Sequence, residues 1–338
     1  MLEWLSIIVI AALSWALTAC LRRYALSKSL LDIPNARSSH SIPTPRGGGV
    51  SIVAVFLTAL TGFWWQGHVE TAELAGALGA GALVAVIGFM DDHGHIAARW
   101  RLLGHFLAAL WVLIWLGGLP PLSAFGLSID LGMLGHVLAV FYLVWMLNLY
   151  NFMDGIDGIA SVEAVTVCGG MSLIYLLGGH SQLFWGPLLL AAATLGFLIW
   201  NFPPARIFMG DAGSGFLGII LGLLSLQAAW VAPQLFWAWL VLLGVFVVDA
   251  TVTLLRRLLR GDKVYEAHRS HAYQFASRRF GRHLPVTLTV GAINLLWLLP
   301  VAAWVALLDG DGLTGLLIAW LPLFLLALKF NAGALERN

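Results

Sequence analysis

About eleven apolar stretches, each near 20 residues long, run through this chain of 338 residues. A membrane-spanning helix needs roughly 20 predominantly apolar residues. Hydrophobic residues make up 60% of the chain and charged residues 10%, and the mean hydropathy is +0.89, outside the range of soluble proteins. The sequence therefore predicts an all-α integral membrane protein, a single polytopic domain over residues 1–338 with about 11 transmembrane helices. The predicted spans lie near residues 2–21, 48–66, 72–90, 102–118, 133–152, 159–178, 183–200, 215–232, 235–255, 286–307 and 313–329.

All 18 Lys and Arg residues fall on one side of the membrane when the N-terminus is placed outside. Basic residues accumulate in cytoplasmic segments, so this distribution predicts a periplasmic N-terminus and a cytoplasmic C-terminus. The net charge of +1 says little about partners, and we expect no nucleic-acid partner. Cys20 and Cys168 are expected to behave as small apolar residues, without a disulfide or a metal site. The inside segments with unusual polar clusters are 22–47, 91–101, 151–158, 201–214 and 256–285.

Four hydrogen-bonding side chains follow one another at a spacing of three where the fifth apolar stretch ends: Asn148, Asn151, Asp154 and Asp157. Neighbouring pairs at this spacing share a helix face, although the direction drifts by about 60° per step. A carboxylate at the centre of a membrane helix costs about 2.5–3.5 kcal/mol on insertion scales. The pattern indicates either a cation site or a hydrated loop at the membrane surface. Similar clusters on the same side of the membrane favour the cation site.

The first inside loop, from Asp32 to Gly49, is rich in proline and glycine and cannot form a regular helix over most of its length. It contains Arg37, His40 and Arg46, which are donors suited to phosphate. By itself, this composition is also typical of a solvated linker with basic residues on the inside.

Asp91 and Asp92 stand side by side at the end of the third span. Adjacent carboxylates repel one another, and a divalent cation, a shared proton or a nearby arginine relieves the repulsion. Arg99 and Arg101 are close enough in sequence to be partners. A plain exposed turn is the alternative.

Residues 201–215 form a second loop of this kind. Asn201 precedes two prolines that end the seventh span, and Phe208 offers a flat face on which a base can stack. Asp211 lies among glycines directly before the next apolar stretch. It is either a ligand or the N-terminal cap of the following helix, and the two roles are compatible.

The last cluster combines an intramembrane acid with a basic loop. Asp249 lies inside an apolar stretch and is either a site residue or the partner of an arginine in the adjoining loop. That loop holds His268, Arg269 and His271, which either bind phosphate or are ordinary surface residues.

Taken together, these segments supply carboxylates that can hold a cation and fixed donors that can hold phosphate oxygens. Phosphoryl transfer needs these parts, because its catalysis is mostly positioning and charge neutralisation. The membrane setting favours a lipid substrate. Mg²⁺ is the expected cation because the cluster is rich in oxygen and free of thiols, and the histidines leave Mn²⁺ open.

In order along the chain, the motifs resemble those of the polyprenyl-phosphate N-acetylhexosamine-1-phosphate transferases, of the glycosyltransferase family 4 type. The resemblance covers residues from about Asp32 to His271 and rests on six motifs on one membrane face. It implies a cytoplasmic active site in the bacterial inner membrane and Mg²⁺. The implied reaction moves a sugar 1-phosphate from a UDP-amino sugar to undecaprenyl phosphate and releases UMP. The motifs are Asp32-Ile-Pro-Asn-Ala-Arg37, Pro45-Arg-Gly-Gly-Gly49, Asp91-Asp92, Asn148-Leu-Tyr-Asn151-Phe-Met-Asp154-Gly-Ile-Asp157-Gly, Asn201 with Phe208-Met-Gly-Asp211-Ala-Gly-Ser214, and Ala267-His-Arg-Ser-His271.

The resemblance also implies roles for individual residues. It makes Asn151 and Asp211 metal ligands and places Asn201 and Phe208 near the uracil. The implied catalytic residues are Asp91, Asp92, Asp154 and Asp157, and the implied substrate-binding residues are Arg37, Arg46, Asn148, Asn201, Phe208, Asp249, His268, Arg269 and His271.

Two departures bear on the donor sugar. The peptidoglycan branch of the family has three consecutive histidines and a Thr-Pro-Thr-Met-Gly-Gly element, whereas this chain has His268-Arg-Ser-His271 and Thr44-Pro-Arg-Gly-Gly48. The sequence therefore resembles the branch that starts O-antigen or related surface polysaccharides, with UDP-GlcNAc or a FucNAc or QuiNAc type donor.

Several alternatives stay open from the sequence. The reaction proceeds either by direct displacement or through a covalent intermediate, and a homodimer is possible. A secondary transporter would place its polar sites near the bilayer midplane and often contains two repeated halves. An intramembrane aspartyl protease would need two membrane carboxylates but neither a metal nor the basic loops.

Overall fold

The computed structural model describes residues 2–34, 39–94, 96–263 and 268–335, and helices dominate these ranges. π-helical turns at Ala77–Gly81 and Asn294–Leu298 join α3 to α4 and α13 to α14. The prediction of an all-α integral membrane protein is confirmed at this level. The helices are α1 (Leu2–Ser27), α2 (Val50–Trp65), α3 (Thr71–Gly76), α4 (Ala82–His93), α5 (Ala98–Leu116), α6 (Gly132–Met153), α7 (Ile159–Gly178), α8 (Ser181–Asn201), α9 (Asp211–Val231), α10 (Pro233–Leu242), α11 (Gly244–Leu259), α12 (Ala272–Phe280), α13 (Leu284–Ile293), α14 (Leu299–Leu307) and α15 (Gly312–Lys329).

Nine helices in the described ranges are long and apolar enough to cross a membrane, when each pair joined by a π-turn is taken as one. The span predicted near 235–255 is instead a pair of helices, α10 and α11, bent by 70° around Leu243. Helix α2 is apolar but only 16 residues long. Each predicted stretch thus coincides with a helical element. The count of 11 spans and the side on which each terminus lies stay predictions.

Two short antiparallel hairpins connect the helices. Strand β1 (Leu31–Asp32) pairs with β2 (Thr44–Pro45), and β3 (Leu122–Ala124) pairs with β4 (Leu127–Ile129). The backbone N–H of Phe208 donates to the carbonyl of Pro45 at 2.8 Å. The first inside loop is therefore attached to the segment that leads into α9.

Helix α9 is the centre of the bundle, since every residue from Ala212 to Ala229 is buried. Glycines let neighbouring helices approach its backbone closely, as is common in membrane bundles. A Cβ atom on Gly218 would lie 2.5 Å from the carbonyl oxygen of Met146 in α6, and one on Gly88 of α4 would lie 2.5 Å from the backbone of Asp211. The polar ends of α4, α6 and α9 are thereby brought together.

The first span packs against α8 with equally little space. The hydroxyl of Ser14 donates to the carbonyl of Ala193 at 2.6 Å. A Cβ atom on Gly196 would lie 2.1 Å from the carbonyl oxygen of Ala11. These contacts make α1 and α8 one continuous seam.

We expect Gly196→Ala to lower the stability of the folded protein by about 1–3 kcal/mol, because the added methyl group overpacks the seam. Gly169→Ala is the matched control, since its Cβ atom would meet no atom within 4 Å. This control should be neutral or stabilising, because Ala is a better helix former than Gly. The apparent melting temperatures of both variants in detergent would check the prediction, and equal values would contradict it.

Candidate active site

A cavity of about 380 Å³ opens where the ends of α4 and α6 meet the start of α9. Its lining comes from segments that are far apart in the sequence but were predicted to share one membrane face. His40 and Ser214, which belong to the loops singled out in the sequence, also line it, and so do Gln274 and His283, which the sequence did not single out. The predicted site residues in the lining are Arg46, Asp92, Asn151, Asp154, Asp157, Asn201, Phe208 and Asp211.

Asp92 is buried and caps helix α9. One of its carboxylate oxygens accepts the backbone N–H of Asp211 at 3.2 Å, and the other accepts that of Ala212 at 3.5 Å. Asp211 is the first residue of α9 and forms no cap bond of its own, since the N-cap residue is Gly210. The capping role that the sequence offered for Asp211 therefore belongs to Asp92, and the Asp211 side chain is free for another role.

Asn151, at the end of α6, holds the side chain of Asp211. The amide Nδ2 of Asn151 donates to Oδ1 of Asp211 at 3.0 Å and to the hydroxyl of Ser214 at 2.9 Å. The guanidinium of Arg101 lies 3.5 Å from the other oxygen of Asp211. These bonds engage the donors of Asn151 and leave its carbonyl oxygen, Oδ1, without a donor among the described residues.

Asp91 turns away from the cavity. Its carboxylate accepts the backbone N–H of Ile96 at 2.8 Å and pairs with the guanidinium of Arg101. Arg101 therefore lies between Asp91 and Asp211. The sequence offered Arg99 or Arg101 as a partner of the Asp91-Asp92 pair, and the structure pairs Arg101 with Asp91.

Asp154 follows the last residue of α6, and no described residue donates a hydrogen bond to its carboxylate. Burial raises the pKa of Asp154 well above its ordinary value, and the charges of Asp211, Asp92 and Asp157 raise it further. A bound cation would relieve this crowding of acids.

The donor set of this cavity fits a divalent cation that prefers oxygen. In the described part of the chain, no three or more His, Cys, Asp or Glu side chains converge as a ready-made metal cage. Mg²⁺ seldom needs one, because it is usually held by one or two carboxylates together with substrate phosphates and water. The Asp211 carboxylate and the side-chain carbonyl of Asn151 are oxygen donors that can hold such an ion, and the Asp154 carboxylate is in the same lining.

Asp157 forms an ion pair with His283, a residue that the sequence did not single out. The Nδ1 atom of His283 lies 3.1 Å from Oδ1 of Asp157, and its Nε2 atom lies 2.9 Å from the carbonyl oxygen of Ser39. Burial by itself lowers the pKa of His283, but Asp157 and the Ser39 carbonyl together raise it above its ordinary value. His283 belongs to none of the motifs in the sequence. Its partner Asp157 is 126 positions away, so no local pattern indicates that the two residues meet.

The segment around Phe208 forms one wall of the cavity. The rings of His40 and Phe208 meet edge to face, with their centroids 4.9 Å apart. Arg46 donates to the carbonyl of Asp92, while its Nε atom is buried without a hydrogen-bond partner in the described part of the chain. Asn201 is fully engaged with the backbone, since it accepts the N–H of Gly158 at 3.1 Å and donates to a carbonyl at 3.1 Å. Arg46 and Phe208 are thus available to a ligand, while Asn201 fixes the loops around them.

Asp249 anchors the basic loop to the bundle. Its carboxylate accepts the backbone N–H groups of Ala272 and Tyr273 at 2.9 and 3.0 Å, which caps helix α12, and it lies 3.4 Å from Nδ1 of His271. Burial, followed by electrostatic interactions with His271 and Arg257, lowers the pKa of His268 to about 3. His268 is therefore neutral, and its Nδ1 atom accepts from the hydroxyl of Ser270 at 2.9 Å.

The remaining predicted residues do not line the main cavity. Asn148 donates to the carbonyl of Val144 and faces a cavity of about 50 Å³ that also contacts Asn151 and Asp211. The rings of His268 and His271 stack on each other with centroids 4.9 Å apart, and Arg269 accepts a bond from Arg278 through its carbonyl. Arg37 lies outside the described residues.

Several known proteins are similar in sequence to this chain over most of its length. The family described as Glycosyl transferase family 4 matches residues 74–229. The chain is 31% identical to the probable undecaprenyl-phosphate N-acetylglucosaminyl 1-phosphate transferase of Bacillus subtilis, over 76% of this chain and 72% of that protein. It is 29% identical to the undecaprenyl-phosphate alpha-N-acetylglucosaminyl 1-phosphate transferase of Thermotoga maritima, over 80% and 81% of the two chains. It is 28% identical to a phospho-N-acetylmuramoyl-pentapeptide-transferase of Streptococcus thermophilus, over 67% and 68%.

A carboxylate-lined cavity at the end of a membrane bundle, together with these relatives, defines a multi-pass membrane phosphotransferase. The chain belongs to glycosyl transferase family 4. The predicted family and the predicted enzyme class are confirmed, and neither the transporter nor the protease alternative is retained. The relatives include both N-acetylglucosaminyl and N-acetylmuramoyl-pentapeptide transferases, so the donor sugar and the branch stay predictions.

The Asp157–His283 pair gives a testable pH dependence. Because the pKa of His283 in the folded protein is raised above the ordinary 6.5, the pair stabilises fully below about pH 6.5. That contribution is lost as the pH rises through the raised pKa. We expect the melting temperature of the wild type to exceed that of His283→Gln most at about pH 6, and less at about pH 9.

The double variant provides the control for this prediction. In an Asp157→Asn background, His283→Gln should add no further pH-dependent loss, because the two residues act as a pair. A difference between wild type and His283→Gln that grows with pH would contradict the assignment.

Proposed function

We propose that this enzyme transfers an N-acetylhexosamine 1-phosphate from a UDP-linked donor to undecaprenyl phosphate and releases UMP. The observation that carries the proposal is the cavity of about 380 Å³, which is lined both by several carboxylates and by the Arg46 side chain. Acids that hold a cation and donors that hold phosphate oxygens are the groups that phosphoryl transfer requires. The printed names of the relatives agree with a polyprenyl phosphate acceptor.

In this proposal, Asn151 and Asp211 hold Mg²⁺, and Mn²⁺ is a possible substitute. When bound, the metal neutralises the diphosphate charge and stabilises the departing phosphate. Asn151 is suited to the role because its hydrogen bonds to Asp211 and Ser214 fix the carboxamide. Asp92 holds the backbone of Asp211 and so sets the direction of that carboxylate.

The other residues in the lining bind and orient the donor. Arg46 donates to phosphate oxygens through its guanidinium group, and Phe208 stacks with the uracil, with His40 behind it. Asp157, held by His283, keeps the loop before α7 in place beneath the nucleotide. The basic loop that contains His268, Arg269 and His271 reaches the lining through Gln274 and interacts with the sugar phosphate.

The reaction joins an oxygen of the lipid phosphate to the β-phosphorus of the donor. The bond between that phosphorus and the oxygen of the α-phosphate breaks, and UMP leaves. A phosphate monoester has a second pKa near 6 and is mostly dianionic at neutral pH. Direct displacement therefore needs no protein base, whereas the alternative route forms a covalent intermediate on a carboxylate such as Asp154.

The donor we favour is UDP-GlcNAc or a FucNAc or QuiNAc type sugar, used to start O-antigen or related lipid-linked surface polysaccharide. The support is the His268-Arg-Ser-His271 motif, which differs from the three consecutive histidines of the peptidoglycan branch. We also propose that the enzyme is a single domain of the bacterial inner membrane, with its cavity on the cytoplasmic side.

The direct test incubates the purified enzyme with undecaprenyl phosphate, Mg²⁺ and a panel of labelled UDP-amino sugars. We expect UMP and lipid-linked label to appear together with one donor of the GlcNAc type. Chelation by EDTA or the substitution Asp211→Ala should abolish both products. Product from UDP-N-acetylmuramoyl-pentapeptide alone would refute the proposed branch, and no product from any donor with a folded protein would refute the function.

The role of Asp91 is tested by a double-mutant cycle with Arg101. Because the two side chains form an ion pair beside the cavity, Asp91→Asn and Arg101→Gln should lose activity by similar factors, and the double variant should lose little more. Both single variants should keep the acidic limb of the pH–rate profile. A base role for Asp91 predicts instead a loss of about 10²–10⁴-fold with removal of that limb in Asp91→Asn only.

A further inference from the structure

Two arginines flank one tryptophan where the ends of α1 and α8 meet. The guanidinium carbon of Arg22 lies 6.0 Å from the centre of the Trp200 ring, and that of Arg206 lies 5.7 Å from it. The Nε atom of Arg22 also donates to the backbone carbonyl of Arg206 at 3.1 Å. The two cationic groups are therefore held in one cluster, which we call the Arg22–Trp200–Arg206 cluster.

This cluster contains no compensating acid. Within the described ranges, no carboxylate oxygen lies within ion-pair distance of Arg22 or Arg206. The face of an indole ring attracts a cation only weakly, and two like charges around one ring repel each other. An anion is the missing partner that would relieve this repulsion.

The surface below the cluster is apolar and faces outward. On α1, Leu13 and Trp15 are 55% and 44% exposed, and on α8, Leu195 and Ile199 are 45% and 60% exposed. The two helices are packed into one seam, so these side chains form a continuous wall. Acyl chains can pack against such an apolar surface, whereas a water-soluble anion gains nothing from it. The surface therefore favours a lipid as the source of the anion.

We propose that the Arg22–Trp200–Arg206 cluster binds the phosphate group of an anionic phospholipid, whose acyl chains lie along the α1–α8 seam. The lipid belongs to the leaflet on the side of the active-site cavity. This site is separate from the cavity, and its existence does not rest on the reaction proposed above.

The site is connected to the cavity through the loop before α9. The backbone N–H of Arg206 donates to the carbonyl of Trp200 at 2.8 Å, and the adjacent N–H of Ala205 donates to Asp157 at 3.0 Å. Phe208 follows two residues later. A phospholipid bound at the cluster therefore holds the loop that presents Asp157 and Phe208 to the cavity.

The test titrates a short-chain phosphatidylglycerol into the full-length enzyme in detergent and follows the melting temperature. The variants are Arg22→Gln, Arg206→Gln and their combination. Each lost arginine should raise the half-saturating lipid concentration about fivefold, since one basic residue near an anionic surface contributes about 1 kcal/mol. Arg99→Gln is the matched control, because Arg99 also lies over a tryptophan ring, that of Trp100 at 5.6 Å. It should behave as the wild type.

Two ligand controls distinguish the source of the phosphate. Phosphatidylcholine should give no comparable shift, and glycerol phosphate without acyl chains should not reproduce the effect. The proposal is overturned if the double variant responds as the wild type does, or if either control ligand stabilises the enzyme as well as phosphatidylglycerol. Should the double variant fail to fold, Arg206→Gln alone decides the question, because that side chain is exposed and forms no described hydrogen bond.

Discussion

The active site depends on the contact between the Asp92 carboxylate and the first backbone N–H groups of α9. A helix begins with N–H groups that have no partner inside the helix, and a carboxylate placed there stabilises it by about 0.5–2 kcal/mol. The contact requires Gly210, whose φ of 77° suits glycine and whose Cβ atom would lie 2.5 Å from the Asp92 carboxylate. Gly88, one turn before Asp92, is also needed, because a Cβ atom there would lie 2.5 Å from the backbone of Asp211. Helix α4 and the most buried helix of the bundle are thus fixed to each other at the cavity.

This contact determines what the other acids do. Once the backbone of Asp211 is fixed, its side chain projects beside Asn151, which holds it with a hydrogen bond. Asp154 then has acids on several sides and no described donor, and burial, together with the charges of these neighbouring acids, raises its pKa. A bound proton or cation relieves such crowding, so the metal binding that we propose would also stabilise the cavity.

Much of the fold could be predicted from the sequence because a bilayer allows few alternatives. A long apolar stretch must satisfy its backbone polar groups internally, so hydropathy alone located the helical elements. The clustering of the motifs on one face could likewise be predicted, because consecutive spans alternate in direction. The bend at Leu243 could not, since the apolar run is uninterrupted and hydropathy does not distinguish a straight helix from a broken one.

The direction in which individual side chains point could not be predicted from the sequence either. Asp91 and Asp92 look equivalent in the sequence, but adjacent residues on a helix point about 100° apart, so Asp92 faces the cavity and Asp91 faces Arg101. His283 was missed because its role comes entirely from a contact across 126 residues.

Two of the carboxylates that the sequence singled out have the same structural role, because each accepts the first backbone N–H groups of a helix. Asp92 caps α9, and Asp249 caps α12, and both side chains are buried. A carboxylate that accepts two backbone N–H groups has its charge compensated and its direction fixed, which makes it a poor ligand for a second cation. The Asp154 and Asp211 side chains accept no backbone N–H group among the described residues, and these are the acids that we propose for the metal and the substrate. The hydrogen bonds of each carboxylate, more than its position in a motif, therefore distinguish the carboxylates that support the structure of the site from those that we propose as ligands.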